Sequence, residues 1–253
     1  MSKITNKLSL PNAVVRAAEN DSYSKDGADF TSTQLTNPPR AEALKIIYPN
    51  DLEIDASSRL ASMLGQAIHN ILERGARPEI DIVERRYFAK FQGYNLGGKI
   101  DLFESDSRTL FEYKTCLWKA FTKKNGSGKK PEWISQASIN RYLMKLNGVA
   151  VDRVVIVGWL VDWRSWVTTD PAAPRAPVVQ RDITEFLWDD QKTEVYINER
   201  IKLHAAAIKS LPECSSKETW GGTMCRSYCE AAPVCEQYQL SLKTGLLRKA
   251  GGE

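Results

Sequence analysis

Two short stretches of sequence decide the fold: residues 96–104 read LGGKIDLFE, and residues 109–115 read TLFEYKT. Apolar and polar residues alternate along both stretches, which predicts two β-strands. The residues between them, 105–108, read SDSR, a composition typical of a turn, so we expect the strands to be antiparallel. If Glu104 pairs with Thr109 across this turn, the register of the strand pair follows, and with it the side chains that share each face.

The expected register brings two carboxylates and one lysine to a single face of the sheet. Asp101 pairs with Glu112, and Lys114 lies two residues after Glu112 on the same strand. Cross-strand neighbours on one face have Cβ atoms about 4.5–5.5 Å apart, and carboxylates this close repel unless a cation such as Mg²⁺ lies between them. Gly97 and Gly98 precede Asp101 and allow another backbone or DNA to approach closely. The alternative is a solvated strand face with an ordinary Glu–Lys pair.

The rest of the pattern predicts helices around a sheet. A near-continuous apolar run at 154–160 is typical of a central strand, residues 178–183 suit an edge strand, and 81–91 form a third strand of the meander. We expect a loop over 20–40 and helices over 11–18, 41–47, 57–74, 132–147 and 185–210. The order of elements predicts an α/β fold with a mixed central β-sheet flanked by helices.

One histidine is placed to join the carboxylates. The helix predicted over 57–74 carries an apolar stripe that we expect to be buried, formed by Leu60, Leu64, Ile68 and Ile71. His69 lies almost opposite this stripe, where a neutral imidazole would complete a metal shell with Asp101 and Glu112. A nitrogen ligand favours Mn²⁺ somewhat over Mg²⁺. The alternative is a structural or exposed histidine, and His204 is expected at the surface.

These motifs resemble the RecB-type branch of the PD-(D/E)xK nucleases. The resemblance rests on three motifs in the family's order, Gly98-Lys-Ile-Asp101 with Glu112-Tyr-Lys114, Gly65-Gln-Ala-Ile-His69, and Trp133-Ile-Ser-Gln136. Further stretches are similar to phage-encoded members, namely Ser32-Thr33-Gln34-Leu35 with Pro39-Arg40, Val161-Asp162-Trp163 and the cysteine-rich tail. The similarity covers most of residues 30–238.

The resemblance implies a restriction-endonuclease-like core and metal-dependent cleavage of DNA. Asp101, Glu112 and Lys114 would be catalytic residues, and His69 would be a ligand of Mg²⁺ or Mn²⁺. Gln136 matches the glutamine that orients the substrate. The family usually carries a tyrosine four residues after that glutamine, and the position is Asn140 in this chain.

A basic, glycine-containing loop at residues 119–131 follows the predicted catalytic strand. We expect it to hold the DNA backbone through a clamp formed by Lys119, Lys123, Lys124, Lys129 and Lys130. A solvated loop is the equal alternative. The loop is not a phosphate-binding P-loop, because Lys130 stands where Ser or Thr is required. Trp118 and Trp133 flank the loop and are expected in the core, with base stacking as the alternative.

Four of the five cysteines lie close together near the end of the sequence, at Cys214, Cys225, Cys229 and Cys235. Four thiolates can hold a tetrahedral Zn²⁺ or a [4Fe–4S] cluster. The C-x2-C spacing of structural zinc sites is missing, and the resemblance to cluster-bearing relatives favours iron and sulfide, with zinc as the alternative. We expect a nuclease domain over 1–210 and a metal-stapled lobe over 211–253 packed on it.

The bulk composition is that of a globular protein with a mild positive charge. The chain has 253 residues, 42% of them hydrophobic, a net charge of +4 and a pI near 8.7, which is compatible with a polyanionic partner. The sequence contains no run of about 18 apolar residues, and the first residues lack the apolar core of a secretory signal. We therefore expect no membrane span and a cytoplasmic location, in a bacterial cell or a phage-infected host, with reduced cysteines.

These patterns together predict a DNA nuclease, with exonuclease action expected, that serves DNA recombination, repair or replication. Recombination or replication proteins are the expected partners besides DNA. One alternative is a catalytically inactive DNA-binding or inhibitory protein that retains the fold, against which the intact Asp101, Glu112 and Lys114 argue. Another is a nuclease subunit of a helicase complex, which the lack of helicase motifs leaves open.

Overall fold

The computed structural model describes residues 3–20, 24–122, 125–164, 169–171 and 173–246. The strands are β1 (Lys3–Thr5), β2 (Phe30–Thr31), β3 (Glu53–Asp55), β4 (Ile82–Val83), β5 (Arg86–Phe91), β6 (Tyr94–Lys99), β7 (Leu102–Glu104), β8 (Thr109–Cys116), β9 (Arg153–Leu160) and β10 (Val178–Asp182). The α-helices are α1 (Asn12–Glu19), α2 (Ser32–Thr36), α3 (Pro39–Ile47), α4 (Leu60–Glu73), α5 (Pro131–Leu146), α6 (Asp190–Ala207), α7 (Thr223–Ser227) and α8 (Glu236–Lys243).

The central sheet has the strand order β10-β9-β8-β7-β4. Strands β8 and β9 are parallel, whereas the other neighbours are antiparallel. Strand β9 lies inside the sheet and buries its valines and Ile156, as its apolar run predicts, while β10 forms an edge. This mixed sheet with flanking helices confirms the predicted α/β class.

The strands predicted over 81–91 and 96–104 are each broken in two. The strand predicted over 81–91 is divided into β4 and β5, and the strand predicted over 96–104 is divided into β6 and β7. Strands β5 and β6 belong to a separate sheet of order β2-β6-β5. The break falls at Glu84, which has a φ of +49°, a left-handed conformation that interrupts a regular strand. The two strands nevertheless stay bonded there, because Glu84 N–H donates to the Asp101 carbonyl at 3.1 Å. The break therefore lies beside the predicted site.

The segment predicted as a loop over 20–40 contains regular structure, so that prediction was wrong in part. Strand β2 pairs in parallel with β6, and α2 follows it directly. The Thr31 side chain accepts a hydrogen bond from Gln34 N–H at 3.1 Å, which satisfies a free donor at the start of this short helix. A polar composition does not exclude a capped helix.

The apolar stripe of α4 is exposed, which overturns the prediction that it is buried. Leu60, Leu64 and Ile71 keep 44%, 45% and 57% of their surface exposed. The opposite side of α4 faces inward instead, where a Cβ on Gly65 would lie 3.5 Å from the Thr115 hydroxyl of β8. Gly65 and His69 share this inner side, one helical turn apart.

The prediction that His204 lies at the surface was also wrong. His204 follows Ile197 and Ile201 at helical spacing on α6, and all three side chains are buried. The helix begins at Asp190, later than predicted, because the Asp189 carboxylate accepts a hydrogen bond from Lys192 N–H at 2.7 Å and caps it.

The chain divides into two compact units. The sheet unit comprises Ser24–Thr36 and Ala61–Ile197, and the terminal unit comprises Met1–Tyr23, Asn37–Leu60 and Asn198–Glu253. The cysteine-rich residues thus belong to the same unit as two N-terminal segments, and the domain boundary expected after residue 210 stays a prediction. Within the described ranges, no helix has both the length and the apolar character needed to cross a membrane.

Candidate active site

The register expected around the central turn is confirmed. Glu104 pairs with Thr109, and continuation of this ladder sets Asp101 opposite Glu112. Asp101 follows the strand break and precedes β7, and its Oδ2 accepts a hydrogen bond of 2.6 Å from Tyr113 N–H. The backbone of β8 therefore holds the Asp101 carboxylate beside the strand that carries Glu112.

A second acidic residue, Glu84, lies across from Asp101 on the other side. The two-residue turn at Gln92 and Gly93 has φ angles of +52° and +85°, the left-handed pair that a tight hairpin requires. Because this turn pairs Phe91 with Tyr94, the same register places Glu84 opposite Asp101. Counting back from the turn identifies Glu84 from the sequence, but the only register predicted was that of the strands over 96–104 and 109–115.

His69, Glu84 and Asp101 form a group that can hold a metal ion. Each offers one ligand atom, and these atoms all lie within 4.8 Å of one another. His69 Nδ1 lies 2.8 Å from Glu84 Oε1 and 3.6 Å from Asp101 Oδ1. One imidazole nitrogen and two carboxylates suit Mg²⁺ or Mn²⁺, with the nitrogen favouring Mn²⁺. The donor set therefore fits the expected cofactor.

The other predicted catalytic side chains form a hydrogen-bonded row beside this group. Lys114 Nζ lies 3.1 Å from Glu112 Oε2 and 3.1 Å from Gln136 Oε1. Gln136 in turn donates to the Thr33 hydroxyl at 3.2 Å, so α2 and α5 both orient it. Lys114 thus links the Glu112 carboxylate to the glutamine that the family resemblance singled out.

Sequence reasoning assigned no role to Asn140, which contacts Glu112 directly. Asn140 Nδ2 donates to Glu112 Oε1 at 2.7 Å, and both side chains are buried. The close approach that Gly98 was expected to allow is made by this amide, because a Cβ on Gly98 would lie 2.5 Å from Asn140 Oδ1. The missing tyrosine of the family motif was the one signal at this position.

The electrostatics differ among the carboxylates of the site, because Glu84 lies in an ion pair with Lys99 and Glu112 in one with Lys114. Burial, and then repulsion from Glu112, raise the pKa of Asp101 to about 7. Burial lowers the pKa of Lys114, but attraction to Glu112 and Asp101 outweighs it and leaves that pKa raised. The hydrogen bond with Glu84 raises the pKa of His69. A divalent cation would relieve the repulsion that these shifts express.

The lysines of the predicted DNA clamp have different surroundings. Lys119 is exposed, whereas Lys129 Nζ lies 4.0 Å above the Phe186 ring and Lys130 Nζ lies 4.9 Å above the Trp133 ring. The remaining predicted members, Lys123 and Lys124, lie outside the described residues. These contacts are compatible with a DNA-binding role for the loop, which stays a prediction.

Phe121 anchors this basic loop to the central sheet. A Cβ on Gly158 of β9 would lie 2.2 Å from the Phe121 ring, and a Cβ on Gly128 would lie 2.5 Å from it. The two glycines therefore leave the space that the ring occupies between loop and strand. The loop is attached to the sheet beside β8, the strand that carries Glu112 and Lys114.

The terminal unit contains a cavity of about 360 Å³ whose lining includes the four predicted metal-binding cysteines, Cys214, Cys225, Cys229 and Cys235. All cysteines of the chain fall within the described ranges, and each is a free thiol. Burial, followed by Glu218 and the neighbouring thiols, raises the pKa of Cys214 to about 12. The buried Arg40 donates through Nε to Cys235 Sγ at 3.3 Å. Four thiols therefore line one cavity, and the Arg40 guanidinium contacts one of them.

No protein-family model and no curated protein matches this sequence. Among solved structures, that of SSO0001 aligns with a TM-score of 0.59 and 17% identity, covering 89% of this chain and 95% of that chain. A phage-related exonuclease from Haemophilus somnus 129PT aligns with a TM-score of 0.42 and 14% identity, covering 68% of this chain and 80% of that chain. The likeness to SSO0001 shows a shared mixed α/β fold.

Proposed function

We propose that this protein is a divalent-metal-dependent deoxyribonuclease. The observation that supports it most is the meeting of His69, Glu84 and Asp101 within 4.8 Å, beside the buried Glu112–Lys114 pair. Glu84 and Glu112 each pair with a lysine, but Asp101 lies in the same cluster, where burial and repulsion from Glu112 raise its pKa. A cluster of this kind gains from binding a divalent cation.

The mechanism follows from the residues around the candidate metal group. His69, Glu84 and Asp101, with Glu112 as the further predicted ligand, would hold Mg²⁺ or Mn²⁺, which supplies charge stabilisation at a phosphate and makes a water more acidic. Lys114 donates hydrogen bonds from a half-buried position, so it can orient the attacking water and offset phosphate charge. Gln136 holds Lys114 in that position and is the proposed contact to the substrate.

We propose exonuclease action on DNA in recombination, repair or replication, with proteins of those processes as partners. The phage-like sequence motifs support this role. The inactive DNA-binding or inhibitory protein remains the alternative, against which the intact Asp101, Glu112 and Lys114 argue.

Purified protein is expected to degrade end-labelled DNA in Mg²⁺ or Mn²⁺ and to leave it intact in EDTA. Linear single-stranded and double-stranded substrates would be compared with covalently closed circles. An exonuclease degrades the linear molecules and spares the circles, whereas nicking of the circles would indicate an endonuclease. Failure to cleave any DNA in either metal, with DNA binding retained, would contradict an independent nuclease and support the inactive alternative.

The basic loop is expected to contribute phosphate contacts. Changing Lys123, Lys124, Lys129 and Lys130 together to glutamine should weaken DNA binding and flatten its salt dependence, measured by fluorescence anisotropy across a salt series. Each lost contact should reduce the slope of log affinity against log salt by roughly 0.7–0.9. A matched control makes the same charge change at exposed lysines of the terminal unit, Lys202, Lys209, Lys217 and Lys243. Equal slopes in the two variants would show that the loop is solvated and makes no phosphate contacts of its own.

We also propose that the cysteine cavity binds a [4Fe–4S] cluster, with Zn²⁺ as the alternative. The cavity is lined by Cys214, Cys225, Cys229 and Cys235, and the Arg40 guanidinium that contacts Cys235 carries the positive charge that an anionic cluster favours. The wide sequence spacing of these cysteines supports iron and sulfide over a zinc knuckle. Metal binding there would add to the stability of the terminal unit.

A further inference from the structure

Asn140 occupies an unusual position for a polar residue in the interior of a helix. It lies on α5 with none of its surface exposed, and its Nδ2 donates to Glu112 Oε1 at 2.7 Å and to the Lys99 carbonyl at 3.4 Å. Glu112 Oε2 receives its own hydrogen bond from Lys114 at 3.1 Å. Each oxygen of the buried Glu112 carboxylate is therefore held by a different side chain.

The orientation of the Asn140 amide is dictated by the carboxylate. Turning the amide over would point Oδ1 at Glu112 Oε1 and place two acceptors against each other. In the observed orientation, Oδ1 is buried without a hydrogen-bond partner among the described residues. Burying an unsatisfied amide oxygen is costly, so the contact with Glu112 is retained against a local penalty.

The backbone next to Asp101 is shaped around this amide. A Cβ on Gly98 would lie 2.5 Å from Asn140 Oδ1 and 2.7 Å from Leu143 Cδ1. Only glycine leaves room for α5 to bring its amide to the carboxylate. Gly98, three residues before Asp101, thus leaves the space that the Asn140 side chain occupies.

We propose that Asn140 is a positioning residue that fixes the Glu112 carboxylate for metal-dependent DNA cleavage. This inference rests on the proposed nuclease function. A neutral donor holds one oxygen of the carboxylate without cancelling its charge, while Lys114 contributes a positive charge at the other oxygen. An arginine or lysine in place of Asn140 would neutralise Glu112, and an aspartate would repel it.

The test is Asn140→Leu, which keeps a similar branched shape and removes the donor. Partners of a metal-binding carboxylate typically contribute 10–100-fold, so we expect Mn²⁺ affinity, measured by calorimetry with the metal alone, to fall by about that factor. The kcat for DNA cleavage should fall similarly, while the KM for DNA stays within about twofold because Asn140 is too buried to touch DNA. Asn140→Ser, which leaves space for a water, should give a smaller loss in both quantities.

The matched control is Ser138→Ala on the same helix. Ser138 is equally buried and accepts a hydrogen bond from Trp188 N–H at 3.1 Å, away from Glu112. Its loss should reduce thermal stability without changing Mn²⁺ affinity or kcat. If Asn140→Ser folds and keeps the Mn²⁺ affinity and kcat of the unaltered protein, or loses no more than Ser138→Ala, the positioning role is wrong.

The outcomes separate this inference from the proposed function. If the unaltered protein cleaves DNA and the Asn140 variants match it, the positioning role fails alone. Alternatively, the unaltered protein could cleave no DNA but bind Mn²⁺, and Asn140→Leu could weaken that binding. The nuclease proposal would then fail, while the role of Asn140 in positioning Glu112 at the metal site would be supported.

Discussion

Replacing Glu112 with glutamine is expected to reduce DNA cleavage below detection while leaving the fold intact. Glutamine has nearly the same shape and can still accept the hydrogen bond from Asn140, but it carries no charge to attract a cation. Glu112 is only 1% exposed, and burying a carboxylate side chain is costly, which function explains better than stability. Cleavage of end-labelled DNA in saturating Mn²⁺, together with thermal denaturation, measures both parts of the expectation.

Asp101→Asn and Lys114→Met should likewise remove cleavage, the lysine change by roughly 10²–10⁴-fold if Lys114 orients the attacking water. His69→Ala and Glu84→Gln should instead raise the metal concentration needed for half-maximal cleavage, because they remove ligands and leave Lys114 in place. Glu79→Gln, at an exposed acidic position, is the matched control and should cleave normally. Full activity of Glu112→Gln would rule out the proposed site.

Loss of a single cysteine ligand is expected to have the second largest effect. Cys229→Ala should yield protein without the iron and sulfide, or zinc, that the unaltered protein retains after purification without oxygen. A metal present at about 1,000 times its dissociation constant adds roughly 4 kcal/mol to folding, so the melting temperature should drop by on the order of 10 °C. Metal analysis, visible absorption and thermal denaturation test this directly.

The control for the cysteine prediction is Cys116→Ala in the sheet unit, which should keep both metal content and melting temperature. Brown protein with bound iron and sulfide indicates the cluster, whereas colourless protein with one tightly held zinc indicates the alternative. If neither metal is found and all four thiols of the cavity react freely with a thiol reagent in the folded protein, the cysteine site is refuted.

Much of the candidate site follows from local sequence rules. Alternation with a period of two and a short polar turn predicted the pairing of Glu104 with Thr109, and this pairing is confirmed. The same register set Asp101 opposite Glu112. The inner position of β9 and the edge position of β10 were predicted from their apolar patterns and are confirmed as well. Each of these features depends either on residues a few positions apart in the sequence or on the burial of an apolar strand inside the sheet.

The features that the sequence did not reveal depend on which surfaces meet in three dimensions. The apolar stripe on α4 predicts a buried face, yet the fold leaves that stripe exposed and turns Gly65 and His69 inward, where His69 contacts Glu84. Hydrophobicity alone could not predict this choice. Glu84 was missed because no register was predicted for the hairpin that carries it.

By itself, the sequence determined the α/β class, the register of the central hairpin and thus the placement of Asp101 and Glu112 across from each other, because strand alternation and turn composition act locally. Only the tertiary structure decided that His69 meets Glu84 and Asp101 and that Asn140 holds Glu112, because each of these contacts joins a helix to residues in or beside strands. The gathering of the four cysteines around one cavity with Arg40 is equally a tertiary result, since residues near position 40 and after position 213 meet there.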